Sequence, residues 1–208
     1  PTNTVVTEIN DYVLTQLPGD QKLYLSSDTL TTPGPYQQSL QEQYPTEFLN
    51  GLSFNGIPEH QLRFKPYTIV MLLRNFNPVA GLCNGTRILI THLGNNVIRG
   101  LIIGGSCEGT IAIIPRIVLD YKDTNWPFTL KRRQYPLRLS YAMTINKSQG
   151  QTLDQIGIYL HAPVFSHGQL YVALSRVRLA AGIHIVLQNI EEVGPTCTRN
   201  IVYDEIFQ

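Results

Sequence analysis

A chain of 208 residues can hold one large domain or two small ones and can bury a substantial core. Hydrophobic residues make up 43% and charged residues 15%, the latter well below the ~25% of a typical globular protein, which excludes a disordered chain. The formal net charge is +1, so any contact with nucleic acid must come from local placement of Lys and Arg, not from a global basic field.

Val6, Ile9, Val13 and Leu17 share a stripe that predicts a helix over 3–17, with Asn3 or Thr4 as its cap. Pro18-Gly19-Asp20 stops it, and Lys22–Ser26 reads as a short strand. Residues 31–45, rich in Pro, Gly, Gln and Tyr, read as an exposed connection. Four β-branched runs follow at Tyr67–Leu73, Thr86–His92, Val97–Ile103 and Gly109–Ile114, with Gly94-Asn95-Asn96 and Gly104-Gly105-Ser106 suited to tight turns. That spacing predicts a small β-barrel. After Pro127 the pattern becomes strand (Leu137–Met143), polar turn, strand (Gln155–Leu160), helix (Gly168–Val177) and strand (Ile183–Leu187). A last helix is expected over Thr198–Phe207. The chain therefore reads as an α/β unit interrupted by an all-β insertion, with segments 1–65, 66–130 and 131–208.

No stretch approaches ~18 consecutive apolar residues and no charged-then-apolar leader opens the sequence, so a soluble intracellular protein with no membrane partner is expected. Cys83, Cys107 and Cys197 are odd in number and far apart, and no two histidines have H-x-x-x-H spacing. Neither a disulfide framework nor a protein-bound metal is expected.

Two motifs carry chemistry. In the polar turn Thr144-Ile145-Asn146-Lys147-Ser148-Gln149-Gly150-Gln151, Gly150 allows a close backbone approach and its amide can face a phosphate. Lys147 and Ser148 suit phosphate oxygens, and Asn146 both donates and accepts. Arg176 closes the following helix; its planar fork can stabilise charge on a transferring γ-phosphoryl group, or simply cap helix carbonyls. Alone, each motif also reads as structural: a solvated turn and a capping arginine. Arg74, Asn75, Asn84 and Thr86 either hold turns of the insertion or face DNA. The basic run Lys131-Arg132-Arg133 reads as solvated surface able to touch phosphate.

Together, TINKSQGQTL (144–153) and GQLYVALSRV (168–177) resemble the fifth and sixth motifs of the Pif-type superfamily 1 DNA helicases, relatives of the RecD helicases. LPGDQKLYLSSD, MLLRN, GLCNGTR, IPRI and RRQYPLRLSYAMTINKSQG extend the resemblance over essentially the whole chain. It implies a RecA-like second motor lobe, of the P-loop NTPase type, interrupted by a small Src-homology-like β-barrel. The implied function is the C-terminal part of an ATP-dependent DNA helicase that couples ATP hydrolysis to 5′-to-3′ translocation and unwinding. DNA repair, recombination and telomere maintenance are the implied processes, in the nucleus rather than the mitochondrion.

By the resemblance, Thr144, Asn146, Lys147 and Ser148 would face single-stranded DNA, Gly150 and Gln151 would lie beside ATP, and Arg176 would be the catalytic finger. Gln169 and Tyr171 would support its helix. Asn146 stands where many relatives carry histidine. The sequence holds no G-x-x-x-x-G-K-[ST] loop, so ATP and Mg2+ would be held mainly by a first RecA-like lobe, and the chain alone would be inactive. Ile201-Val202-Tyr203-Asp204-Glu205 mimics a magnesium-binding motif but reads as part of the last helix. Two further readings stay open: a non-catalytic nucleic-acid-binding module, and a transposon-derived relic.

Overall fold

The apolar runs sort into elements in chain order: α1 (Asn3–Gln16), β1 (Lys22–Leu25), β2 (Ser27–Thr31), α2 (Thr46–Gly51), β3 (Gln61–Phe64), β4 (Ile69–Leu72), β5 (Arg87–Leu93), β6 (Val97–Ile103), β7 (Ile111–Pro115), β8 (Ile117–Lys122), β9 (Thr129–Gln134), β10 (Leu137–Leu139), β11 (Ile156–Leu160), α3 (Gln169–Leu174) and β12 (Ile183–Leu187). The structure is a computed structural model and describes residues 2–32, 40, 42–123, 126–188 and 197–203. It divides into two compact units, one of residues 1–11 and 142–208, the other of residues 12–141.

In the 12–141 unit, strand alternation separates a core face from an outer face. An antiparallel five-stranded sheet in the order β10-β4-β5-β6-β7 turns Val70, Leu72, Ile88, Ile90, Ile98, Ile102, Ile114 and Leu137 inward. Tyr24, Leu62 and Phe64, from the antiparallel β1–β3 pair, complete that core. Each such side chain, fully buried, contributes about 1.5–3 kcal/mol. Gly100 sits where a Cβ would fall 2.5 Å from Ile88 Cγ2 and 2.6 Å from the Leu89 carbonyl oxygen, so β5 and β6 can approach only over a glycine. The expected insertion, 66–130, lies within this unit, but its sheet also takes in β10 from beyond residue 130. A second sheet, β2-β9-β8, packs Leu30 and Leu130 with Leu49 and Phe128. Its strands β8 and β9 were not expected from the sequence.

The basic run lies on β9, and there the expectation of a solvated surface fails for Arg132. Alternation turns Arg132 inward, and its side chain has 0% exposure, as does that of Asp28 on β2. Arg132 Nη2 donates to Asp28 Oδ2 at 2.7 Å and Nε to both carboxylate oxygens at 3.0 Å. The remaining donors reach the carbonyls of Leu49, Leu52 and Pro58 at 2.9, 3.0 and 3.1 Å. Ser26 Oγ donates to Asp28 Oδ1 at 2.6 Å and meets His60 Nδ1 at 2.7 Å, so the carboxylate is saturated too.

In the other unit, β11 and β12 pair in parallel, from Ile156 opposite Ile183 to Leu160 opposite Leu187, with α3 on the crossover between them. Ile145, Ile158, Leu160, Val164 and Ala173 form its core. The helix is shorter than the expected Gly168–Val177. Gly168 is the left-handed residue before it (φ 70), and Val177 leaves it to bridge with Leu153. The strand expected over Leu137–Met143 ends at Leu139. Beyond it, Asn10 of α1 takes over the backbone: its Oδ1 accepts from Ala142 N at 2.8 Å and its Nδ2 donates to Ala142 O at 3.1 Å.

Residues 198–203 are irregular rather than helical. Their backbone is committed to tertiary partners, with Tyr203 N donating to His167 Nδ1 at 3.1 Å and the Ile201 carbonyl accepting from Gly168 N at 3.4 Å. Asp204 and Glu205 lie outside the described residues, as do residues 33–39 and 41 of the expected 31–45 connection.

Candidate functional site

The polar turn is built on one buried anchor at each end of a single 3₁₀ turn. Thr144, half-buried and extended (φ −70, ψ 152), leads into the turn Ile145–Ser148. Its carbonyl accepts from the amides of Lys147 at 3.0 Å and Ser148 at 3.3 Å. Ile145 packs into the core and Ser148 is buried, its hydroxyl donating to the Ile145 carbonyl at 2.7 Å. That leaves Asn146 and Lys147 exposed at the apex. Four residues assigned together by sequence thus divide, with Asn146 and Lys147 displayed and Ser148 tying the turn shut.

Gly150 follows with φ +81, a left-handed conformation that glycine adopts without penalty. A Cβ there would meet nothing within 4 Å. The glycine is therefore required by backbone conformation, and the space beside it is open to a ligand.

Arg176 emerges just past α3 and reaches this turn. Its Nη1 donates to the carbonyls of Ser148 at 3.3 Å and Gln151 at 3.1 Å, which flank Gly150. Its Nε donates to the Val172 carbonyl at 2.8 Å and its Nη2 to Ser175 Oγ at 2.8 Å. The backbone joins the same two segments, with Leu153 N donating to the Arg176 carbonyl at 2.8 Å. Val172 lies in the last turn of α3, where carbonyls have no intrahelical partner, so Arg176 does cap the helix. It is half-buried, and its guanidinium meets only neutral oxygens among the described residues, so no carboxylate there offsets its positive charge.

Of the supporting residues, Gln169 is buried with Oε1 accepting from Phe165 N at 3.2 Å, whereas Tyr171 is 73% exposed and its carbonyl accepts from Ser175 N at 2.9 Å at the end of α3. In the other unit, Asn75 Oδ1 accepts from Asn84 N at 2.8 Å, and Thr86 Oγ1 donates to the Gly81 carbonyl at 2.7 Å while accepting from Cys83 N at 3.1 Å. These side chains hold turns; Arg74 is exposed. Ser175, in contact with the guanidinium, was not singled out by the sequence.

Comparison with known proteins gives a consistent picture. Residues 47–93 match the family model described as DNA helicase Pif1, 2B domain. The chain is 34% identical over 181 residues to the ATP-dependent DNA helicase PIF1 of Danio rerio, covering 85% of this chain and 25% of that protein. It is 35% identical over 135 residues to the human protein of that name, covering 60% of this chain and 19% of the relative. A solved structure of two coordinating Pif1 helicases at forked duplex DNA superposes with a TM-score of 0.66 at 26% identity, over 99% of this chain and 41% of that one. Pif1 from Bacteroides in complex with ADP-AlF3 and single-stranded DNA superposes with a TM-score of 0.63 at 24% identity, over 99% and 42%, which shows the shared fold. The chain spans about a quarter of the length of the curated relatives it matches.

Proposed function

We infer, from a chain homologous to the C-terminal part of the Pif1-type superfamily 1 DNA helicases, that it forms the second motor lobe of an ATP-dependent DNA helicase. The observation that carries this reading is the meeting of Arg176 with the two carbonyls that flank Gly150, at 3.3 and 3.1 Å. A finger and a phosphate-facing bend would have to share one edge, and the contact of Arg176 with this turn supports that reading.

In this proposal ATP docks against a first RecA-like lobe and meets this edge. Gly150 and Gln151 line the nucleotide, the open side of Gly150 admitting it closely. Arg176 is the catalytic residue, its undiminished charge stabilising the γ-phosphoryl group as negative charge builds on its oxygens. Mg2+ belongs to the first lobe and would supply charge neutralisation between the phosphates. Asn146 and Lys147 contact the backbone of single-stranded DNA, on its own or at a fork, with Thr144 beside them and Ser148 fixing the loop. Because Ser148 and Gln151 both hold the arginine, displacement of the turn by DNA is felt at the finger, and each cycle moves the helicase 5′ to 3′ along the strand.

Joining the chain to a first motor lobe, in cis or in trans, should yield DNA-stimulated ATP hydrolysis, and Arg176→Ala should lower it by about a thousandfold or more. Full turnover by Arg176→Ala would reject the assignment.

A further inference from the structure

We propose that Ser175 is a positioning residue for Arg176, holding the guanidinium to its own helix so that one donor stays aimed outward. The proposal rests on the finger role given above. A guanidinium has five N–H donors. Four are engaged here: Nε with Val172 O, two on Nη1 with Ser148 O and Gln151 O, and one on Nη2 with Ser175 Oγ. The second hydrogen of Nη2 remains for an anion.

The four contacts differ in kind. Those to the turn are long, at 3.3 and 3.1 Å, and belong to a segment that a docking ligand would displace. Those to α3 and its end are short, both 2.8 Å, and move with the arginine itself. Nη2 is the terminal nitrogen that no main-chain carbonyl holds, so its orientation depends on the serine. The hydroxyl is itself fixed, donating to the Val172 carbonyl at 3.2 Å, which turns its lone pairs toward Nη2. Val172 O, Ser175 Oγ and Arg176 thus close a small ring of hydrogen bonds at the end of α3. When the turn moves, this ring keeps the fork pointed at the γ-phosphate.

The test uses the chain joined to its first lobe, with Ser175→Ala and Ser175→Thr beside Arg176→Ala. Ser175→Ala should lower kcat for DNA-stimulated ATP hydrolysis by about tenfold, the scale of one hydrogen bond to a charged group, and leave KM for ATP within about twofold. Ser175→Thr, which keeps a hydroxyl at the same place, should restore kcat. Nitrogen-15 spectra of the arginine side chains should show the Arg176 N–H signals lose protection from solvent exchange in Ser175→Ala and regain it in Ser175→Thr. An unchanged kcat in Ser175→Ala, or a threonine variant as slow as the alanine one, overturns the positioning role while the finger stands. Full turnover in Arg176→Ala removes the finger and this role with it.

Discussion

Arg132 and Arg176 carry one side chain into opposite circumstances in the two units. Arg132 is sealed at 0% exposure with Asp28, every donor met, two of the five by the carboxylate and three by carbonyls. Arg176 is half-buried and held by three carbonyls and a hydroxyl. The first arrangement cancels the charge within the fold; the second orients the guanidinium on neutral oxygens and leaves its charge uncancelled. Counting basic residues in a sequence cannot separate these uses, because the difference lies in whether the partner oxygen is ionised.

The comparison breaks most readily at Arg132. Arg132→Ala should destabilise the 12–141 unit by about 3–5 kcal/mol, since it leaves the Asp28 carboxylate buried without its partner. Arg176→Ala, which removes hydrogen bonds from the cation to neutral oxygens at a half-exposed helix end and strands no buried charge, should cost less, about 1.5–3 kcal/mol. Urea denaturation of the two variants measures both. Equal losses would mean that Arg176 is as structural as Arg132, and the contrast would fall. Lysine at 132 should not rescue, because an ammonium cannot span the carboxylate and three carbonyls together.

A smaller effect sharpens the same contrast through glycine. Gly150→Ala should cost about 1–2 kcal/mol, the penalty of a left-handed L-residue, because nothing within 4 Å obstructs the added methyl. Gly100→Ala, where the methyl would meet Ile88 and the Leu89 carbonyl at 2.5 and 2.6 Å, should cost more. Parallel urea midpoints decide it; a Gly150 variant as damaged as the Gly100 one would show that the bend is packed rather than open.

How far each region was legible follows from the range of its contacts. The motifs around Gly150 and Arg176 were readable because the bend is dictated locally and the helix stripe Leu170, Ala173, Leu174, Val177 is periodic, even though the helix itself stops at Leu174. Within the turn, the burial of Ser148 behind an exposed Lys147 depends on which residue of a 3₁₀ turn faces the core, and composition does not reveal that. Arg132 was misread because its partner lies 104 positions away, and a basic triplet looks solvated until strand alternation is applied to it. Asn10 was missed for the same reason: it stands on the buried stripe of α1 between Val6 and Leu14, and its partner Ala142 is 132 positions distant. The helix expected over 198–207 gave way in its described part because Ile201 and Tyr203 spend their backbone on Gly168 and His167.

A third arginine gives the smallest and most selective test. Arg116 lies with Cζ 5.1 Å from the Tyr135 ring centroid and 5.8 Å from that of Tyr24, and its Nη1 donates to the Leu25 carbonyl at 2.6 Å. Tyr24 is buried with its hydroxyl on the Gly94 carbonyl at 2.8 Å. Burial, and then the neighbouring Tyr135, push the Tyr24 hydroxyl from its ordinary 10.0 up to about 12, while Arg116 opposes the shift. Below pH 10 the phenol is neutral whether the chain is folded or not, and its contribution to stability is complete. Between about pH 10 and 12 the unfolded chain releases the proton and the folded one keeps it, so stability falls as pH rises. Tyr24→Phe should flatten that alkaline slope in urea titrations, and an unchanged slope would remove Tyr24 as its source. Replacing Arg116 with methionine should move the Tyr24 ionisation, followed by tyrosinate absorbance, to still higher pH. A downward move would mean that this third guanidinium raises the phenol by burying it more than its charge lowers it.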